Sequence, residues 1–89
     1  MRYKIKDNLA YRKILNEIYI VDSKNSCLHK INETGSFIFE KIKEGLNEDE
    51  IIDELIKIYD VGIEVAKSDY KNFIEELFSK GLIEKDARK

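Results

Sequence analysis

At 89 residues, with 43% apolar and 38% charged side chains, the chain is long enough for one domain. It leaves little core to spare for a deep active-site cavity, since a domain of this size buries only about 60 to 65% of the surface its unfolded chain exposes. A formal net charge of -2 argues against a general nucleic-acid binder, which carries a basic surface to displace counterions from phosphate. The longest apolar runs, such as Ile18-Tyr19-Ile20-Val21, fall far short of the roughly 18 residues that span a bilayer, and no signal peptide is visible. Cys27 is the only cysteine, so an intramolecular disulfide is impossible and a reducing, cytoplasmic setting is expected.

The first nine residues interleave Arg2, Lys4 and Lys6 with Tyr3 and Ile5, an alternation that suits either an edge strand or a frayed arm. The domain proper is expected over 10–83, with 84–89 as a polar tail. A first strand is predicted from Ala10 to Leu15, and Asn16-Glu17 sits where a two-residue hairpin loop would form, although no glycine marks it. Ile18 to Asp22, β-branched and aromatic, is the clearest strand. The polar cluster Asp22-Ser23-Lys24-Asn25-Ser26 then turns the chain into a third strand, Cys27 to Ile31, which completes an antiparallel meander.

At Leu28-His29-Lys30-Ile31-Asn32-Glu33-Thr34-Gly35 the period-two pattern stops and a helical one begins. Asn32 is placed to cap the first free N–H groups, with Glu33 favourably in the first turn. Helix one is predicted from Glu33 to Glu44, with Ile38, Phe39 and Ile42 inward and Gly45 as its terminator. Gly35 gives up helix stability in the first turn, which points either to close approach of another backbone or to simple tolerance. Helix two opens on a capping box, Asn47 with Glu50, and a staple, Leu46 with Ile51. Its stripe is Ile51, Ile52, Leu55, Ile58 and Tyr59, and Asp60-Val61-Gly62 ends it. Helix three runs from about Ile63 to Lys80 on Ala66, Tyr70, Phe73, Ile74 and Leu77, with Val65 and Phe78 beside them. Gly81 then allows Leu82 to fold back toward Leu77 in a Schellman closure.

Little in this chain points to catalysis. Cys27 and His29 stand two apart on a strand and share a face, but a nucleophile and base also need an orienting group and an oxyanion site. A zinc site needs three or four protein ligands, more than this pair supplies. Cys27 is therefore read as a small buried hydrophobe and His29 as a sheet residue. The glycines at 35, 45, 62 and 81 are spaced as helix punctuation and form no phosphate loop. No catalytic residue, metal or cofactor is expected. Three strands followed by three helices suit a winged-helix DNA binder, the alternative function. Against it, Lys67, Lys71 and Lys80 on helix three are outnumbered by Glu64, Asp69, Glu75 and Glu76.

The order and spacing of several short pieces carry a resemblance. They are Ile20-Val21-Asp22, Ile31-Asn32-Glu33-Thr34-Gly35, Ile38, Gly45, Tyr59-Asp60-Val61, and Asp69, Phe73, Leu77, Gly81, Leu82 and Ile83. Together, over Tyr11 to Ile83, the chain resembles the PqqD-like family, small domains also called RiPP recognition elements, RiPP meaning ribosomally synthesised and post-translationally modified peptide. Ile31 replaces the commoner Leu, and Phe39 stands where many relatives carry Trp.

The resemblance implies an α+β, winged-helix-like fold, a three-stranded antiparallel sheet followed by three helices. It also implies a non-catalytic peptide chaperone that holds the leader of a precursor peptide and presents it to a modifying enzyme, often a radical SAM enzyme or a leader peptidase. A leader would add as an antiparallel strand to the open edge of the third strand, with specificity from pockets toward helix three. The peptide-binding candidates are Leu28, His29 and Lys30 on the strand and Asp69, Asn72, Phe73 and Glu76 on the helix. Which parity of the strand faces the helices stays open. A leader with apolar anchors and mixed charge is the expected ligand, and an open edge also favours a homodimer.

Overall fold

The structure is a computed structural model that describes residues 2–6, 9–24 and 26–86. Its elements in chain order are β1 (Tyr3–Ile5), β2 (Leu9–Ile14), β3 (Glu17–Asp22), β4 (Cys27–Ile31), α1 (Glu33–Lys43), α2 (Glu48–Tyr59), α3 (Ile63–Ser79) and β5 (Ile83–Lys85). The meander β2-β3-β4 is antiparallel, as the alternation requires, and three helices follow it.

At the ends of the chain one open alternative is decided and one expectation changes. The basic stretch at the start resolves to a strand, because β1 pairs antiparallel with β5 in a separate two-stranded ribbon, Tyr3 opposite Lys85 and Ile5 opposite Ile83. Glu84 and Lys85 thereby leave the expected polar tail for a strand. No local signal could announce a pairing between residues so far apart in sequence. The first hairpin is also shifted: Ile14 pairs with Glu17, so the loop is Leu15-Asn16, with Leu15 at φ 59. A leucine is an unusual occupant of the left-handed region, where a β-carbon meets the following carbonyl.

Helix ends follow local chemistry closely. Asn32 Oδ1 accepts from the Gly35 N–H at 2.8 Å. At α2 the box is complete: Asn47 Oδ1 accepts from Glu50 N at 2.9 Å, and Asn47 N donates to Glu50 Oε1 at 2.9 Å. The α3 exit is a full Schellman motif, with Leu82 N donating to Leu77 O at 3.0 Å, Gly81 N to Phe78 O at 3.0 Å, and Gly81 at φ 72. The same pair of bonds closes α1 around Gly45.

The core lies between the inner face of the meander and the helices. Ile18, Ile20 and Ile31 meet Ile38, Phe39 and Ile42 of α1, Ile51, Ile52 and Leu55 of α2, and Ala66, Tyr70, Phe73, Ile74 and Leu77 of α3. Ile58 is exposed, because the α2 stripe centres on Ile52, Leu55 and Tyr59 and leaves Ile58 on its rim. Phe39 packs edge-on against Tyr11, and Phe78 does so against Tyr3, with centroids 5.1 and 5.3 Å apart. One buried hydroxyl ties sheet to helix: Ser36 Oγ accepts from Ile18 N at 2.8 Å and donates to Ile31 O at 3.0 Å. No helix among the described residues is long and apolar enough to cross a membrane.

Candidate functional site

Among the described residues β4 has β3 on one side and no strand on the other. Its free edge therefore presents backbone donors and acceptors in an extended row, the arrangement that accepts an added strand. Burial settles the parity left open by the sequence. Ile18, Ile20 and Asp22 are buried on β3, and their partners Ile31, His29 and Cys27 share the side that faces the helices. Leu28 and Lys30 point to the opposite, solvent face, Leu28 at 67% exposure.

Of the seven candidate residues, the four on α3 come together. Asp69, Asn72, Phe73 and Glu76 line a cavity of about 260 Å³ with Asn32, Thr34, Gly35 and Ile38. Phe73 and Glu76 continue into a second hollow of about 300 Å³ with Glu17, Lys30, Ile31 and Asn32. The two share Asn32, Phe73 and Glu76, so they form one groove between β4 and α3. Lys30 joins this rim although its parity is outward, and its Nζ stands 3.5 Å from Glu17 Oε1. Leu28 and His29 are not among the lining side chains. His29 faces inward, and its Nε2 is buried with no hydrogen-bond partner among the described residues.

Six lining residues were not among the sequence candidates: Asn32, Thr34, Gly35 and Ile38 at the α1 entrance, with Glu17 and Ile31 on the sheet. Four of them, Ile31, Asn32, Thr34 and Gly35, lie in the strand-to-helix junction, so the signal that marked the junction also marked the groove wall. Gly35 has a specific reason to lack a side chain. A β-carbon there would stand 2.5 Å from Phe73 Cε1 and 2.7 Å from Ile31 Cγ2. The close approach is thus of an aromatic side chain, not of another backbone. Phe73 is both core and groove: it is only 9% exposed, yet its ring lines both hollows.

Cys27 is exposed, contrary to its reading as a buried hydrophobe; it is the first residue of β4, next to the polar turn. No group of three or more His, Cys, Asp or Glu able to hold a metal ion occurs among the described residues. The perturbed titrating groups lie elsewhere. Burial, with Glu48 second, pushes the Tyr3 and Tyr70 phenols up, and burial also raises that of Tyr59.

Comparison with known proteins bears on this site. The family description "Coenzyme PQQ synthesis protein D (PqqD)" matches residues 17–83, from the start of β3 through the first residue of β5. The chain belongs to the PqqD family. Its β4 edge and groove are therefore features of a PqqD-family domain. Two solved structures share the fold. One is TbiB1 in complex with the TbiA(beta) leader peptide, 26% identical, with a TM-score of 0.87 over 96% of this chain and 99% of that one. The other is a lasso peptide synthetase B1 complexed with the leader peptide, 14% identical, with a TM-score of 0.86 over 94% and 99%. A search of the curated proteins gives no match.

Proposed function

We propose that this PqqD-family domain binds the leader segment of a ribosomally made precursor peptide and hands it to a modifying enzyme. The observation that carries the reading is the unpaired edge of β4 lying along the groove toward α3. The structural neighbours, both leader-peptide complexes, support it. A leader adds antiparallel to β4, gaining main-chain hydrogen bonds that need no particular side chain, and its inward side chains enter the groove beside Phe73. His29 acts from beneath the strand, and Leu28 and Lys30 flank the added chain on the outer face. The domain itself performs no chemistry; the reaction belongs to its partner, a radical SAM enzyme or a leader peptidase. Self-pairing through β4 would make a homodimer and would compete with the leader. The DNA-binding alternative is disfavoured because the α3 face along the groove carries Asp69 and Glu76, which repel phosphate.

The test is titration calorimetry against the leader of a short precursor peptide encoded beside this chain, with a scrambled leader as control. Saturable one-to-one binding that scrambling abolishes is expected. Proline placed at Leu28 and at His29 in turn locates the contact. Alternate residues of an edge strand aim their N–H groups outward, so one of the two variants loses leader binding while keeping the β3 ladder. Absence of binding by a folded, monomeric chain would overturn the reading.

A further inference from the structure

The charged groups along the groove are not equally satisfied. Lys30 is 3.5 Å from Glu17, and Lys80 Nζ is 2.7 Å from Glu76 Oε2. Asp69 makes no hydrogen bond or ion pair among the described residues. The positions one turn away on α3 are Val65, Ala66, Asn72 and Phe73, none of them a cation, so its own helix does not neutralise it. The N-terminus of α1 borders the same cavity, where the Asn32 cap takes up the Gly35 N–H and the acidic Glu33 already lies in the first turn. The groove thus carries one uncompensated negative charge at a fixed place, above an apolar floor of Ile38 and Phe73.

We propose that Asp69 selects leaders carrying a lysine or arginine, whose methylene stem lies on Phe73 while its cationic head reaches the Asp69 carboxylate. This rests on the leader-binding reading and sharpens it from mixed charge to one basic residue. Long basic side chains suit such a slot because their stems are apolar and their heads stay near water.

The position of that residue in the leader also follows. An antiparallel leader runs opposite to β4, so its earlier residues lie at the Ile31 end. Asp69 shares its cavity with Thr34, Gly35 and Ile38, beyond that end. The basic residue therefore sits on the N-terminal side of the strand-forming stretch.

Selection of phage-displayed random dodecapeptides on the native chain and on Asp69→Asn, an isosteric change on an exposed helix face, tests this. The native pool is expected to enrich Lys or Arg ahead of an alternating apolar stretch, and the Asp69→Asn pool to lose that preference. In a selected peptide, Lys→Gln should weaken binding to the native chain about three- to fivefold, the range of a partly exposed ion pair, and leave Asp69→Asn unaffected. Equal Lys→Gln losses on both chains, or enrichment of hydroxyl or acidic residues at that place, would overturn the Asp69 assignment while leaving leader binding intact. Peptides that bind every β4 proline variant as well as the native chain would instead overturn the groove itself, and with it both proposals.

Discussion

Replacing Gly35 with alanine sets a methyl group into the Phe73 ring. The new carbon would lie 2.5 Å and 2.9 Å from two ring atoms and 2.7 Å from Ile31 Cγ2, where ordinary carbon contacts need about 3.5 to 4.0 Å. The ring must retreat by about 1 Å, and the free space on its far side is the groove. Overpacking of this kind costs about 1 to 3 kcal/mol, while alanine in place of glycine returns at most about 1 kcal/mol of helix propensity, less in a first turn. The net expectation is a loss of about 1 to 2 kcal/mol, a fall in Tm of roughly 5 to 15 °C for a domain of this size. Thermal unfolding followed by circular dichroism measures it, and leader binding should weaken as the ring fills the hollow. The double variant Gly35→Ala with Phe73→Leu should cost less than the sum of its parts, because removing the ring removes the clash. A Gly35→Ala chain as stable as the native one, or strict additivity in the pair, would refute the argument.

Ser36→Ala strands a buried Ile18 N–H and a buried Ile31 carbonyl, so a loss of about 2 to 4 kcal/mol is expected in urea denaturation; a loss under about 1 kcal/mol would mean that the two groups find other partners. Tyr70 makes stability fall on the alkaline side. Burial first, then Glu48 and Tyr3, raises its folded pKa above the unfolded 10.0, so the native state holds a proton that the unfolded state loses, and stability declines as pH rises past about 10. Below that pH both states are protonated and Tyr70 contributes no slope, so Tyr70→Phe should flatten only the alkaline limb of a pH series. Leu15 is 91% exposed at φ 59, and Leu15→Gly should stabilise the hairpin by roughly 0.5 to 1 kcal/mol as the left-handed strain is relieved. A destabilised Leu15→Gly chain would show that its side chain has a packing role.

Features written in a few adjacent residues could be read directly from the sequence. Asn47 and Glu50 announce the start of α2, Gly81 and Leu82 the end of α3, and Cys27 to Ile31 the third strand with its bounds, because each depends on backbone groups within one turn or one pleat. Asp69, Phe73 and Glu76 could be brought to one helix face by their spacing alone. That Phe73 meets Gly35, and that His29 faces inward while Leu28 faces out, could not. Those depend on how α3 crosses the sheet, which period does not encode. The hairpin slipped by one residue because Asn16-Glu17 looked the better turn, whereas the ladder from Leu9 to Ile14 against β3 outweighed the strain at Leu15. The alternation of Tyr3 and Ile5 allowed a strand at β1, but nothing local announced its pairing with β5.

That ribbon also has a kinetic meaning. Its strands close a loop over nearly the whole described chain, secured by Asp86 N donating to Arg2 O at 3.0 Å and Lys6 N to Leu82 O at 3.2 Å. Closing so large a loop costs more entropy than any hairpin, and its few hydrogen bonds repay that only once the helices have brought the ends together. The meander and the α1 junction, built from near neighbours, can form first, and the ribbon latches last. By the same argument the ribbon is expected to open first in the native state, which would free Tyr3 from Phe78 and bare one flank of α3 while the opposite flank still holds its groove.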